Sequence, residues 1–159
     1  MKILAKDLSK ILLENKFTIS VAESCSAGGI SSCVCSVPGS STYFLGGVVA
    51  YSNLSKQRDL GVREEDINKF SEVSDVVAKQ MSVGVKRKFN SDFSISTTGY
   101  SGPDGLDVGK VFISISNPLK TVVKKYDFKG SRQEITNQII QTSLQNLISE
   151  IKLFIFSNK

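Results

Sequence analysis

Phe44-Leu45-Gly46-Gly47-Val48-Val49-Ala50-Tyr51, followed at once by Ser52-Asn53-Leu54-Ser55-Lys56, is the stretch on which the fold turns. Its first half is a continuous apolar run carrying two glycines, the pattern of a strand buried in a sheet. Its second half opens on Ser52 and Asn53, either of which can cap a helix, and that helix closes near Gly61. A strand passing directly into a capped helix is a building unit of α/β domains.

The flanking sequence extends the same alternation. Leu4, Leu8, Ile11 and Leu12 recur at helical spacing and predict an amphipathic helix over residues 3–15. Phe17 to Val21 reads as a short strand, after which Ser24 or Ser26 caps a helix running to about Ser36, where Pro38-Gly39 ends it. Ser74 opens a longer helix to about Phe89, with Val76, Val77, Met81, Val85 and Phe89 along one face. Asp92 to Thr97 is a strand. Val111–Ser116 and Thr121–Phe128 form an antiparallel pair across Asn117-Pro118. Gly130-Ser131 starts the last helix, with Ile135, Ile139, Leu144, Leu147 and Ile151 turned inward. Strands alternate with helices early and a hairpin comes late, so the expected fold is a single-domain three-layer α/β/α sandwich with a mixed sheet, residues 1–159.

Composition narrows the function. The net charge of +5 is spread over 20 basic residues, of which only Arg58, Arg63, Arg87 and Arg132 are arginines. Nucleic-acid binders cluster arginine and interleave aromatics, so a nucleic-acid partner is disfavoured and Lys86-Arg87-Lys88 reads as a solvated helix end. No apolar run approaches the ~20 residues that span a bilayer, and Lys2, Lys6, Asp7 and Lys10 break up any leader-like core. Cys25, Cys33 and Cys35 suit neither a disulfide framework nor chelation. The expectation is a reduced cytoplasmic protein with no membrane partner.

The chain has no histidine, which removes every Ser-His and Cys-His mechanism. A nucleophile here needs a carboxylate or an amine as its base, and a lysine serves only if burial or neighbouring cations lower its pKa. Lys56 is the placed candidate, one helical turn after the strand that Tyr51 closes. Candidate nucleophiles are the serines of Pro38-Gly39-Ser40-Ser41 and, with Glu23 as base, Cys25, which otherwise reads as a small buried hydrophobe. Ala22-Glu23-Ser24-Cys25-Ser26-Ala27-Gly28-Gly29 at a strand-to-helix junction is a candidate anion cradle. Thr98-Gly99-Tyr100-Ser101-Gly102-Pro103-Asp104-Gly105 is a second small-residue loop, at the strand end where open α/β sheets bind ligands.

These motifs, in this order, resemble the C-terminal domain of the CinA family, whose stand-alone members are PncC-type nicotinamide mononucleotide deamidases. The resemblance runs from about Thr18 to Leu147 and includes Gly61-Val62, Val73-Ser74, Val108-Gly109 and Gly130 with Arg132. It implies a homo-oligomeric amidohydrolase of pyridine nucleotide salvage, without metal or cofactor, releasing ammonia from nicotinamide mononucleotide. By this resemblance Ser41 is the nucleophile, Lys56 its base, and Tyr51 lies beside them. The residues offered for the mononucleotide are Ser24, Ser26, Gly28, Thr98, Gly99, Gly102 and Arg132. Four places differ from the family's usual pattern. Ser26-Ala27-Gly28 replaces Thr-Gly-Gly, Phe70-Ser71-Glu72 replaces His-Gly-Ala, the segment after Gly105 is shorter, and Thr136 stands where the last helix often carries a second arginine. The alternative from another class is a nucleotide-binding module without catalysis.

Overall fold

In Phe93-Ser94-Ile95-Ser96 and Ile113-Ser114-Ile115-Ser116, serine alternates with large apolar residues, and this alternation sorts the two faces of the sheet. The computed structural model describes residues 1–158. Its strands are β1 (Ile19–Glu23), β2 (Phe44–Val49), β3 (Phe93–Gly99), β4 (Lys110–Ser116) and β5 (Thr121–Asp127). Its helices are α1 (Lys2–Asn15), α2 (Gly29–Cys35), α3 (Asn53–Leu60), α4 (Glu64–Phe70), α5 (Asp75–Phe89) and α6 (Arg132–Ser157), with a 3₁₀ turn at Ser40–Thr42. The strands form one sheet in the order β2-β1-β3-β4-β5. β1 is parallel to β2 and β3, while β4 and β5 complete the sheet as an antiparallel hairpin. The expected mixed sheet between helical layers is the fold found.

The isoleucine face packs on α1, α2 and α6 in one apolar cluster that includes Leu8, Leu12, Ile30, Ile95, Ile113 and Ile139. All five residues expected to point inward from α6 are buried. On the serine face α5 lies close, because serine takes little room and its hydroxyl can satisfy a buried carbonyl. Ser94 donates to the Ser82 carbonyl and Ser96 to the Ala78 carbonyl, each at 2.7 Å. Ser82 Oγ meets Ser114 Oγ at 2.8 Å and Ser116 Oγ at 2.9 Å. A second apolar cluster joins α3, α4 and α5 through Leu60, Ile67, Val77, Met81 and Val85. Gly84 is where α5 touches the end of α3, and a Cβ there would collide with the Leu60 carbonyl. Gly84→Ala is therefore expected to cost about 1–3 kcal/mol in stability by overpacking, read from its urea unfolding midpoint.

Two expectations need correction. β2 is not a central strand but the edge of the sheet, and its residues alternate between half-buried and exposed. Its run is apolar on both faces, yet α2 is only seven residues long and leaves Leu45 and Val49 uncovered. α4 was not legible at all. Its seven residues carry Glu64, Glu65 and Asp66 in the first turn and too few apolar positions to register as periodic. The second helix is also shorter than expected, starting at Gly29 behind Gly28 rather than behind a capping serine. No helix among the described residues is long and apolar enough to cross a membrane.

Candidate active site

β1, β2 and β3 run parallel, so their carboxyl ends open on one edge of the sheet, where the next segments converge. Ser24 follows β1 directly and its N–H donates to the Thr97 carbonyl of β3 at 3.0 Å. Ala50 follows β2 and donates to the Glu23 carbonyl at 2.8 Å. Ser52 then caps α3, accepting from the Ser55 N–H at 3.1 Å, and Gly61 closes that helix in the left-handed conformation. Both boundaries are those expected from sequence. Lys56 stands in the first turn of this helix, so its long side chain reaches back over the strand end.

That side chain is 2% exposed. Nζ donates to the Ala50 carbonyl at 3.1 Å and meets Ser24 Oγ at 3.1 Å. Burial pulls the lysine pKa down, while the neighbouring Glu72 carboxylate and Cys25 push it back up. A neutral Nζ keeps one N–H on Ala50 and presents its lone pair to the serine hydroxyl. The pair stands at the floor of a cavity of about 440 Å³, within the range of small-molecule sites.

The cavity gathers most of the residues singled out from sequence. Ser24, Tyr51, Lys56, Thr98, Gly99, Gly102 and Arg132 all line it. Arg132, the first residue of α6, donates from Nη2 to the Tyr51 hydroxyl at 2.7 Å and from Nη1 to the Gly102 carbonyl. Tyr51 is thus engaged with the arginine at the mouth rather than with Lys56. Ser26 and Gly28 are not among the lining residues. The Ser26 hydroxyl is spent on Thr97 Oγ1 at 2.7 Å, and Gly28 turns the chain into α2 with φ of 90°. Among the described residues, no backbone carbonyl accepts from the N–H of Cys25 or of Ser26, beside Ser24, and the Cys25 N–H faces its own sulfur.

Ser41 is the main departure. It lies exposed in the 3₁₀ turn that precedes β2, outside the cavity. Lys56 Nζ is held at Ala50, beyond the other end of that strand. The six residues of β2, at about 3.3 Å each, put roughly 20 Å between the two positions. Within this chain Ser41 and Lys56 do not meet, and Ser24 takes the place beside the amine. The rival nucleophile also fares poorly. Burial pushes the Cys25 thiol up to about 12, so it carries almost no thiolate near neutrality. Its supposed base, Glu23, is committed to α2, accepting from the Ile30 and Ser31 N–H groups and the Ser31 hydroxyl at 3.0, 2.8 and 2.7 Å.

Sequence reasoning missed Glu72. Its carboxylate lines the cavity and accepts from the Tyr100 hydroxyl and the Ser71 hydroxyl, both at 3.1 Å. Its own backbone N–H, then these hydroxyls and Lys56, hold it below the usual glutamate range against the opposing effect of burial. It is ionised at neutral pH. No periodicity or spacing marks it, because it occupies the irregular link between α4 and α5.

The Lys56 environment has a consequence for stability. Its pKa is lower folded than unfolded, so the unfolded chain binds more protons in the window between the two values. Stability from this group therefore rises with pH through that window, up to the ordinary lysine value of about 10.4. Urea unfolding from pH 8 to 10 is expected to show a steeper gain for the native chain than for Lys56→Met.

Comparison with known proteins adds the relatives. The CinA C-terminal domain pattern matches residues 1–151. A CinA-like protein of Flavobacterium psychrophilum is 42% identical over 148 residues, covering 91% of this chain and 35% of that protein. The chain thus spans about a third of the length of the curated relatives it matches. Crystal structures with the same architecture include a competence or damage-inducible protein from Enterobacter asburiae, at TM-score 0.91 and 28% identity over 94% of this chain and 97% of that one. The competence/damage inducible protein CihA from Agrobacterium tumefaciens superimposes at TM-score 0.90 and 28% identity, covering 93% of both chains.

Proposed function

The chain belongs to the CinA C-terminal domain family, and from that membership and the cavity's geometry we propose that it is an amidohydrolase converting nicotinamide mononucleotide to nicotinate mononucleotide and ammonia, in pyridine nucleotide salvage. The observation that carries this reading is the buried amine of Lys56 at 3.1 Å from Ser24 Oγ, in a chain without histidine.

In this reaction Ser24 Oγ attacks the carboxamide carbon while neutral Lys56 takes its proton. The oxyanion forms beside the N–H groups of Cys25 and Ser26, a contribution of about 3–4 kcal/mol per donor where the geometry is good. The carbon–nitrogen bond then breaks, Lys56 returns the proton to the leaving nitrogen, and ammonia departs from an acyl ester on Ser24. Water attacks the ester with Lys56 again as base, releasing the carboxylate and restoring the serine. Arg132, at the mouth, supplies the cation for the phosphate.

The proposal is tested by ammonia release from nicotinamide mononucleotide by the purified protein. Binding of that mononucleotide without ammonia at any pH would instead favour a module that holds nucleotides without turning them over. The pH profile is a further check, since protonation of Lys56 disables the base. The log of kcat/KM is expected to rise with pH and level off at a value below the ordinary lysine range.

A further inference from the structure

Two charged side chains of the cavity lining, Glu72 and Asp104, have no part in the chemistry described above. Four charged side chains line the cavity: Lys56, Glu72, Asp104 and Arg132. Arg132 grips Gly102 and Tyr51 at the mouth, and Asp104 belongs to that same exposed loop. Glu72 is set deeper, half-buried where Asp104 and Arg132 are exposed, and lies within electrostatic reach of Lys56. With Lys56 neutral in the working state, the reacting end holds one uncompensated carboxylate.

The placement of Glu72 is built rather than incidental. Ser71, just before it, has φ of 75°, a conformation that residues other than glycine adopt only when the surroundings enforce it. Its N–H closes α4 on the Ile67 carbonyl at 2.9 Å. Its carbonyl accepts from the Ser74 hydroxyl at 2.9 Å, and its own hydroxyl reaches both Glu72 Oε2 and Tyr100 OH. The Thr98 hydroxyl holds the Glu72 carbonyl at 2.7 Å. β3 and the head of α5 therefore brace a strained link whose result is a carboxylate aimed into the cavity.

We propose that Glu72 is a specificity residue that reads the positive charge of a pyridinium ring, while Arg132 reads the phosphate, so that the cavity's charge polarity decides which end of the substrate meets Ser24. The inference rests on the amidohydrolase reading and adds the class of substrate favoured: an amide on a cationic heteroaromatic ring. It also gives direction to turnover. Hydrolysis replaces a neutral carboxamide with a carboxylate at the Glu72 end, and repulsion between the two anions favours departure of the product.

The test is binding, in the Ser24→Ala background to prevent turnover, of nicotinamide mononucleotide and of its 1,4-dihydro form. The two share carboxamide, ribose and phosphate but differ in ring charge. The cationic form is expected to bind about tenfold more tightly. Adding Glu72→Gln should remove that preference by weakening the cationic ligand alone, with the neutral ligand's unchanged affinity showing that the cavity is intact. Asp104→Asn should keep the preference. If both ligands bind and their ratio survives Glu72→Gln, or is lost instead in Asp104→Asn, the charge-reading role is wrong while the hydrolase reading stands. If neither ligand binds, the substrate assignment itself falls, and this inference with it.

Discussion

Replacing Ser24 by alanine is expected to lower ammonia release from nicotinamide mononucleotide by about six orders of magnitude, the scale seen when a hydrolase loses its nucleophilic serine, whereas Ser41→Ala keeps activity within about twofold. The contrast follows from position. Ser24 Oγ is 3.1 Å from Lys56 Nζ on the cavity floor, and Ser41 is exposed at the far end of β2. Ser24→Ala should fold normally, since its backbone bond to Thr97 does not involve the side chain. Its kcat should fall with little change in substrate Kd, because the hydroxyl acts on the reacting carbon rather than on the phosphate. Comparable losses in both serine variants would contradict the assignment.

The second large effect is at Lys56. Lys56→Met preserves the length and apolar stem but removes the amine, and is expected to cost about 10³-fold or more in kcat, the upper part of the range for a general base. Lys56→Arg should fail equally, because a guanidinium does not deprotonate in this pH range. The methionine variant separates chemistry from folding. It loses one hydrogen bond to the Ala50 carbonyl but also removes a buried amine whose charge is costly, so it should remain folded. Activity surviving in Lys56→Met would mean that some other group deprotonates the serine.

Much of this arrangement was legible because its signals are local. Ser52 and Gly61 bracket α3 through capping chemistry that needs no tertiary contact, and α6 shows its buried face in the spacing of Ile135, Ile139, Leu144, Leu147 and Ile151. Lys56 could be singled out from its position after β2. Its partner could not. Ser24 and Lys56 are separated by 32 residues, and they meet only because β1 and β2 pair in parallel with Glu23 beside Val49. From sequence, Ser24 read as part of an anion cradle, and the glycine-led turn holding Ser41 looked the better nucleophile. The fold then placed that turn at the opposite end of β2 from Lys56. Likewise the apolar run of β2 cannot say how much of it α2 covers, and Glu72 gains meaning only when Ser71, Tyr100 and Lys56 surround it.

The central claim is that Ser24 bears the acyl group during turnover. Mixing the protein with nicotinamide mononucleotide, quenching in acid within the first turnovers and mapping the peptides by mass spectrometry tests it directly. The expected result is an acyl adduct on the peptide containing Ser24, absent from Ser24→Ala and from Lys56→Met. An adduct on the peptide containing Ser41 or on Cys25, or sustained ammonia release by Ser24→Ala, would contradict it.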